Sequence, residues 1–213
     1  MSSIPRRLIL ASGSPRRAEL LREAGYKFRV IPPADDVEQG LCSNCSPAEL
    51  VHDLALRKGA AIADILAAQP AEEGWVLLAA DTVAECGGQI LGKPVDESHA
   101  RQMLYLMRGG RHRVLTGICV WPGPNAGNLD NQPRLPHLEV VVTQLEMDML
   151  SDEAIEEYLA SGQWEQKAGG FGYQDRLGWV HVVEGSESNV VGLPMERLSE
   201  LLSEFGVFTG AGG

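Results

Sequence analysis

Several short segments carry side chains able to do chemistry. Ser12-Gly13-Ser14-Pro15-Arg16-Arg17 follows an apolar run and opens a helical pattern. A helix N-terminus presents backbone N–H groups and the positive end of a dipole, which suits phosphate. The serines add hydroxyl donors, and the arginines add fixed charge with bidentate geometry. A plain helix cap with surface arginines is the alternative. Asp81 follows the apolar residues 75–80, with Thr82 beside it. A carboxylate there is costly without a partner or a metal, which marks Asp81 as a functional candidate. A capping role has no helix to serve. Lys93 stands in Gly92-Lys93-Pro94, on a turn stiffened by proline, and Lys58 lies in a helical stretch. Each is either a functional lysine or a plain surface one.

Two further segments are rich in turn formers. Lys167-Ala168-Gly169-Gly170-Phe171-Gly172-Tyr173-Gln174 places glycines where the backbone comes close to something, the alternative being an ordinary loop. Gly185-Ser186-Glu187-Ser188-Asn189-Val190-Val191-Gly192-Leu193-Pro194 reads as a polar turn, structural or part of a site wall.

Other chemistries lack their residues. The sequence has neither a GxxxxGK[ST] phosphate loop nor a GxGxxG dinucleotide fingerprint, and no GxSxG nucleophile elbow. His52, His99, His112, His137 and His181 show no metal-ligand spacing. Cys42-Ser43-Asn44-Cys45 is half a zinc site without a second pair, and reads as an exposed loop. Cys86 and Cys119 stand alone in apolar runs and read as small buried hydrophobes.

The net charge of -11 argues against a nucleic-acid binder or a membrane-surface binder, both of which are normally basic. Residues 8–11 are too short an apolar run for a signal peptide, and no stretch approaches the ~18 apolar residues of a membrane span. The expected address is the cytoplasm. At 213 residues the chain is expected to form a single domain, residues 1–213, with a core mostly of Leu, Val, Ile and Ala.

The elements that must position these residues alternate along the chain. Strands are expected at residues 8–11, 28–31, 75–80, 89–91, 113–121, 138–145 and 179–183. Helices are expected at 16–24, 46–68, 96–107, from 151 onward, and at 193–205. Ser46-Pro47-Ala48-Glu49 has the grammar of a capped helix start. Residues 32–44 and 122–136 read as loops. The fold class is α/β with a mixed sheet.

Taken together and in order, residues 8–21, Ala80-Asp81-Thr82, Leu91-Gly92-Lys93-Pro94, residues 112–117, 167–174 and 188–194 resemble the Maf family of nucleotide pyrophosphatases. The resemblance spans nearly the whole chain. It implies an elongated, inosine-triphosphatase-like α/β fold with flanking helices and a cleft between two lobes. The implied activity cleaves a nucleoside triphosphate to the monophosphate and pyrophosphate, clearing unwanted or modified nucleotides. A divalent metal, Mg²⁺ or Mn²⁺, and a homodimer are implied too.

Carried over by position, Asp81 is the proton acceptor, and Ser12, Arg16, Arg17, Lys58 and Lys93 match the polar positions that face phosphate. Glu38 matches the acidic residue that assists Asp81 with the metal, although Asp35 and Asp36 lie in the same long loop. Arg16, Thr82 and Gln174 match members acting on dTTP and UTP. Members acting on 7-methyl-GTP tend to carry Trp at the first of these positions. The family's usual Ile-Gln-Gly is Tyr173-Gln174-Asp175 here. The alternatives are a 7-methyl-GTP pyrophosphatase and a non-catalytic nucleotide-binding regulator of cell division.

Overall fold

Leu8, Ile9, Leu10 and Ala11 are all fully buried in β1 (Arg7–Ala11). Burial on both faces requires neighbours on both sides and cover above and below. β2 (Phe28–Val30) and β3 (Trp75–Cys86) flank β1, both parallel to it, so that Ile9 stands opposite Arg29 and Leu77. The computed structural model describes residues 6–34, 37, 45–68, 74–123, 135–165, 167–175 and 177–210. Glu38, Asp35, Asp36 and Cys42 lie outside them.

The seven-stranded sheet runs β2-β1-β3-β5-β6-β7, with β4 (Gln89–Leu91) also paired to β3. The remaining strands are β5 (Arg111–Pro122), β6 (His137–Met147) and β7 (Val180–Glu184). β3 with β4 and β6 with β7 are antiparallel, so the sheet is mixed and the fold class α/β, as expected.

Contacts divide the chain into two compact units. The first comprises Met1–Asp81, Thr116–Val141 and Gly192–Gly213. The strand period of two sends alternate residues to opposite faces. Leu8, Leu10, Val76, Leu78 and Ala80 enter one core with residues of α1 (Pro15–Glu23) and α6 (Met195–Glu204). Ile9, Ala11, Leu77 and Ala79 enter another with α2 (Pro47–Ala67). The start of α2 carries the expected capping box, Ser46 with Glu49. Gly117 of β5 lets that helix settle on the sheet, because a Cβ there would stand 2.2 Å from the Val51 carbonyl oxygen.

The second unit comprises Thr82–Leu115 and Val142–Val191. It contains α3 (Glu97–Met107), α4 (Asp152–Ala160) and α5 (Glu187–Val191). Its core gathers Ala84, Leu91, Leu104, Met107, Leu145, Ile155 and Tyr158.

Two expectations need correction. The strand expected at 75–80 does not stop at Asp81 but continues to Cys86. β3 pairs with β1 as far as Ala79 and with β4 from Ala84, so the chain stays extended while its partner changes. Asp81 therefore lies within a strand, at the changeover. The polar turn before the last helix holds α5, whose Asn189 is buried and donates to Thr143 Oγ1 at 3.0 Å.

Candidate active site

α2, seated by Gly117, carries Lys58 to Asp81. Lys58 Nζ lies 2.5 Å from Asp81 Oδ1, with both side chains largely buried. Asp81 thus has the partner that its place in an apolar strand requires. Lys58 is therefore not a surface lysine, since its ammonium faces a carboxylate in the interior.

Arg17, expected to face phosphate, is bonded to the protein itself in this structure. It is buried, and its guanidinium joins three parts of the first unit. Nη1 donates to Ser12 Oγ at 3.0 Å and to the Ala80 carbonyl oxygen at 2.8 Å, while Nε donates to the Gly192 carbonyl oxygen at 3.0 Å. Successive helical residues point about 100° apart, so Arg17 can turn inward while Arg16 stays half-exposed. A planar fork of donors suits three fixed acceptors better than an ammonium would.

Ser12 Oγ also accepts from the Ser14 N–H at 3.2 Å. With two bonds accepted, the hydroxyl is left to act as a donor. Ser14 occupies the N-cap position of α1, but its hydroxyl makes no cap bond. The Ser12–Arg17 pair bonds to the Ala80 carbonyl oxygen, and the next residue, Asp81, bonds to Lys58, so the two pairs meet at the changeover in β3.

Thr82, Lys93 and Gln174 belong to the second unit. Thr82 is half-buried and Lys93 is exposed beside half-buried Pro94. The Gly169 N–H donates to the Gly92 carbonyl oxygen at 3.0 Å, so the Gly-Lys-Pro turn and the glycine-rich segment lie side by side. Gly169 and Gly170 have φ of 71° and 68°, and a Cβ on them would contact Met107 and Ala100 respectively. The close approach foreseen for these glycines is therefore to the chain itself. Gln174 sits in a single 3₁₀ turn, Tyr173–Asp175. The sequence reading missed what holds that turn, a bond from Lys167 to Asp175.

Residues 7–205 match the family model described as Maf-like protein. The chain belongs to the Maf family. A dTTP/UTP pyrophosphatase of Rhodopirellula baltica is 50% identical over 202 residues, covering 94% of this chain and 83% of that protein. One of Rhizobium meliloti is 41% identical, covering 94% and 93%. One of Symbiobacterium thermophilum is 39% identical, covering 97% and 98%. A solved nucleoside-triphosphatase / dITP/XTP pyrophosphatase of Mycobacterium abscessus superposes over 94% of each chain with a TM-score of 0.37 and 10% identity, too loosely to carry an argument.

Among the described residues, no group of three or more His, Cys, Asp or Glu side chains is placed to hold a metal. That donor set does not fit a cation caged by protein alone. It does fit a hard cation held by one or two carboxylates together with substrate phosphates, the usual manner of Mg²⁺. Among the described residues, Asp81 would be the carboxylate in that role. Cys45 is disulfide-bonded, while Cys86 and Cys119 are free and buried. Burial pushes the Cys119 thiol up to about 12 and also raises Cys86, so neither is a thiolate nucleophile near neutral pH. Burial lowers His112 to about 4, which keeps it neutral.

Proposed function

We propose that this chain hydrolyses nucleoside triphosphates, dTTP and UTP foremost, to the monophosphate and pyrophosphate. The observation that carries the reading is the Lys58–Asp81 pair, set beside a strand end that Arg17 ties to Ser12. The Maf relatives described above bear the name of this activity.

In this mechanism Asp81 accepts a proton from the attacking water. The water oxygen forms a bond to the α-phosphorus, and the bond from that phosphorus to the bridging oxygen breaks. The bond's electron pair leaves with pyrophosphate. Lys58 binds one carboxylate oxygen and leaves the other to the water. Incoming phosphate oxygens compete for the Lys58 ammonium, which loosens its hold on Asp81 as substrate arrives. Arg16, Lys93 and the Ser12 hydroxyl supply positive charge and a donor to the phosphates. Mg²⁺ or Mn²⁺, bound by Asp81 and the phosphates with Glu38 as a candidate second ligand, would neutralise developing charge. Gln174 carries an acceptor and two donors on one planar amide, which matches adjacent groups on the pairing edge of thymine or uracil. Sites that hydrogen-bond a substrate reject analogues that leave their polar groups unpaired. The activity belongs in the cytoplasm, where nucleoside triphosphates are held.

Pyrophosphate release from dTTP, UTP, the other standard triphosphates and 7-methyl-GTP, measured with Mg²⁺ and with Mn²⁺, tests the proposal. The expected result is the highest kcat/KM on dTTP and UTP. No release from any triphosphate would leave a nucleotide-binding protein, and a preference for 7-methyl-GTP would overturn the base assignment.

A further inference from the structure

Asp175 stands where the family's usual pattern has glycine, directly after Gln174. Its carboxylate is mostly buried, and one oxygen, Oδ2, receives two donors. Lys167 Nζ lies 2.5 Å away and the Tyr158 hydroxyl 3.2 Å away. Lys167 and Asp175 bracket the glycine-rich segment, eight residues apart. Tyr158 comes from α4 in the core of the same unit.

The segment needs such a tie. Gly169, Gly170 and Gly172 make its backbone permissive, and a short 3₁₀ turn has little stability of its own. Its first half is anchored by the Gly169–Gly92 bond. Its middle is anchored by Phe171, whose ring lies 5.9 Å from Trp179 and 5.7 Å from Tyr158. The end carrying Gln174 is held by the Asp175 N–H bond to the Gly172 carbonyl oxygen and by the Asp175 carboxylate. Burial and the neighbouring carboxylate both keep the Tyr158 phenol protonated, so it remains a donor.

We propose that Lys167, Asp175 and Tyr158 form a clamp that positions Gln174 and thereby sets base selectivity. The three are positioning residues. The inference rests on the proposed role of Gln174 in reading a pyrimidine. A side chain set to hydrogen-bond a base discriminates only while its backbone is fixed, and small displacements of a recognition group cost large factors.

The test compares kcat and KM for dTTP, UTP and 7-methyl-GTP, together with Tm, in the wild type, Gln174→Ala, Asp175→Asn, the double variant, Lys167→Arg and Tyr158→Phe. Gln174→Ala and Asp175→Asn should each reduce discrimination against 7-methyl-GTP by about tenfold or more, through a higher KM for the pyrimidines. The double variant should be no worse than the worse single one, because both act on one interaction. Lys167→Arg should retain most of the selectivity and Tyr158→Phe should lose part of it. If Asp175→Asn slows all three nucleotides equally, or spares a discrimination that Gln174→Ala destroys, the clamp is only structural and the inference fails. Should Asp175→Asn not fold, unchanged discrimination in Tyr158→Phe overturns it instead. If Gln174→Ala leaves discrimination intact, the base reading itself is wrong and the clamp proposal falls with it.

Discussion

The Arg17 guanidinium donates to the carbonyl oxygen of Ala80, the residue immediately before Asp81. The position of the candidate base is thus fixed by a side chain from the first helix. Removing that side chain leaves buried acceptors at Ala80 and Gly192 without this donor. Each buried acceptor so orphaned costs about 1–3 kcal/mol. Arg17→Met should therefore lower the unfolding free energy by about 3 kcal/mol, measured by urea titration. Arg17→Lys should recover only part of it, because one ammonium cannot satisfy acceptors on separate segments. A variant of unchanged stability with much weaker triphosphate binding would mean that Arg17 is a phosphate ligand after all.

Asp81→Asn keeps the shape of the side chain and removes the base. Turnover should fall by about 10²–10⁴-fold, the usual contribution of general base catalysis. Circular dichroism should show the fold retained. Lys58→Met should also impair turnover, and it should destabilise the protein by about 3 kcal/mol because it leaves a largely buried carboxylate without its ammonium. Wild-type turnover by Asp81→Asn would remove Asp81 from the mechanism.

How legible these features were depends on whether their cause is local. The start of α2 was readable because Ser46 and Glu49 cap each other within one turn. The buried strand β1 was readable as an unbroken apolar run, and the segments bearing Asp81 and Lys58 were placed in the right kinds of element. The extension of β3 past Asp81 was missed because the charged Asp81 interrupts the apolar run that marked the strand. α5 was hidden because Asn189 points inward to Thr143, a partner remote in sequence. Lys167 and Asp175 are too far apart to form a helical or strand-period pair. The inward turn of Arg17 depends on acceptors at Ala80 and Gly192, which only the tertiary fold brings near.

His112 gives a pH signature separate from the carboxylates. It is buried, and its Nδ1 has no hydrogen-bond partner. Burial lowers it from 6.5 to about 4, so between these values the unfolded chain binds the proton more readily than the folded one. Stability rises with pH wherever the unfolded state holds more protons. The contribution of neutral His112 is therefore complete above about pH 6.5 and is lost as pH falls toward about 4, by up to about 3 kcal/mol. Urea unfolding of the wild type and His112→Leu between pH 7 and pH 4 checks this. The variant should show a shallower decline, and parallel curves would exclude His112 as the source.

Gly117→Ala links packing to chemistry most directly. The glycine lies on β5, and an added Cβ would meet the Val51 carbonyl oxygen at 2.2 Å and the His52 nitrogen at 3.0 Å. Both are backbone atoms of α2, so no side-chain rotation can relieve the clash, and the helix must move. Overpacking of this kind costs about 1–3 kcal/mol. A helix pushed off the sheet carries Lys58 with it, and the Lys58–Asp81 bond depends on that helix staying seated. Gly117→Ala should therefore lower both Tm and kcat. The kcat defect should persist at temperatures well below the new Tm, where the variant is fully folded. Gly74→Ala provides the control for general glycine effects, because its positive φ of 75° strains the backbone while an added Cβ there meets nothing within 4 Å. It should lower Tm without a comparable loss of kcat. If Gly117→Ala loses stability but keeps wild-type kcat when folded, the seat of α2 is not what sets the geometry of Lys58 and Asp81.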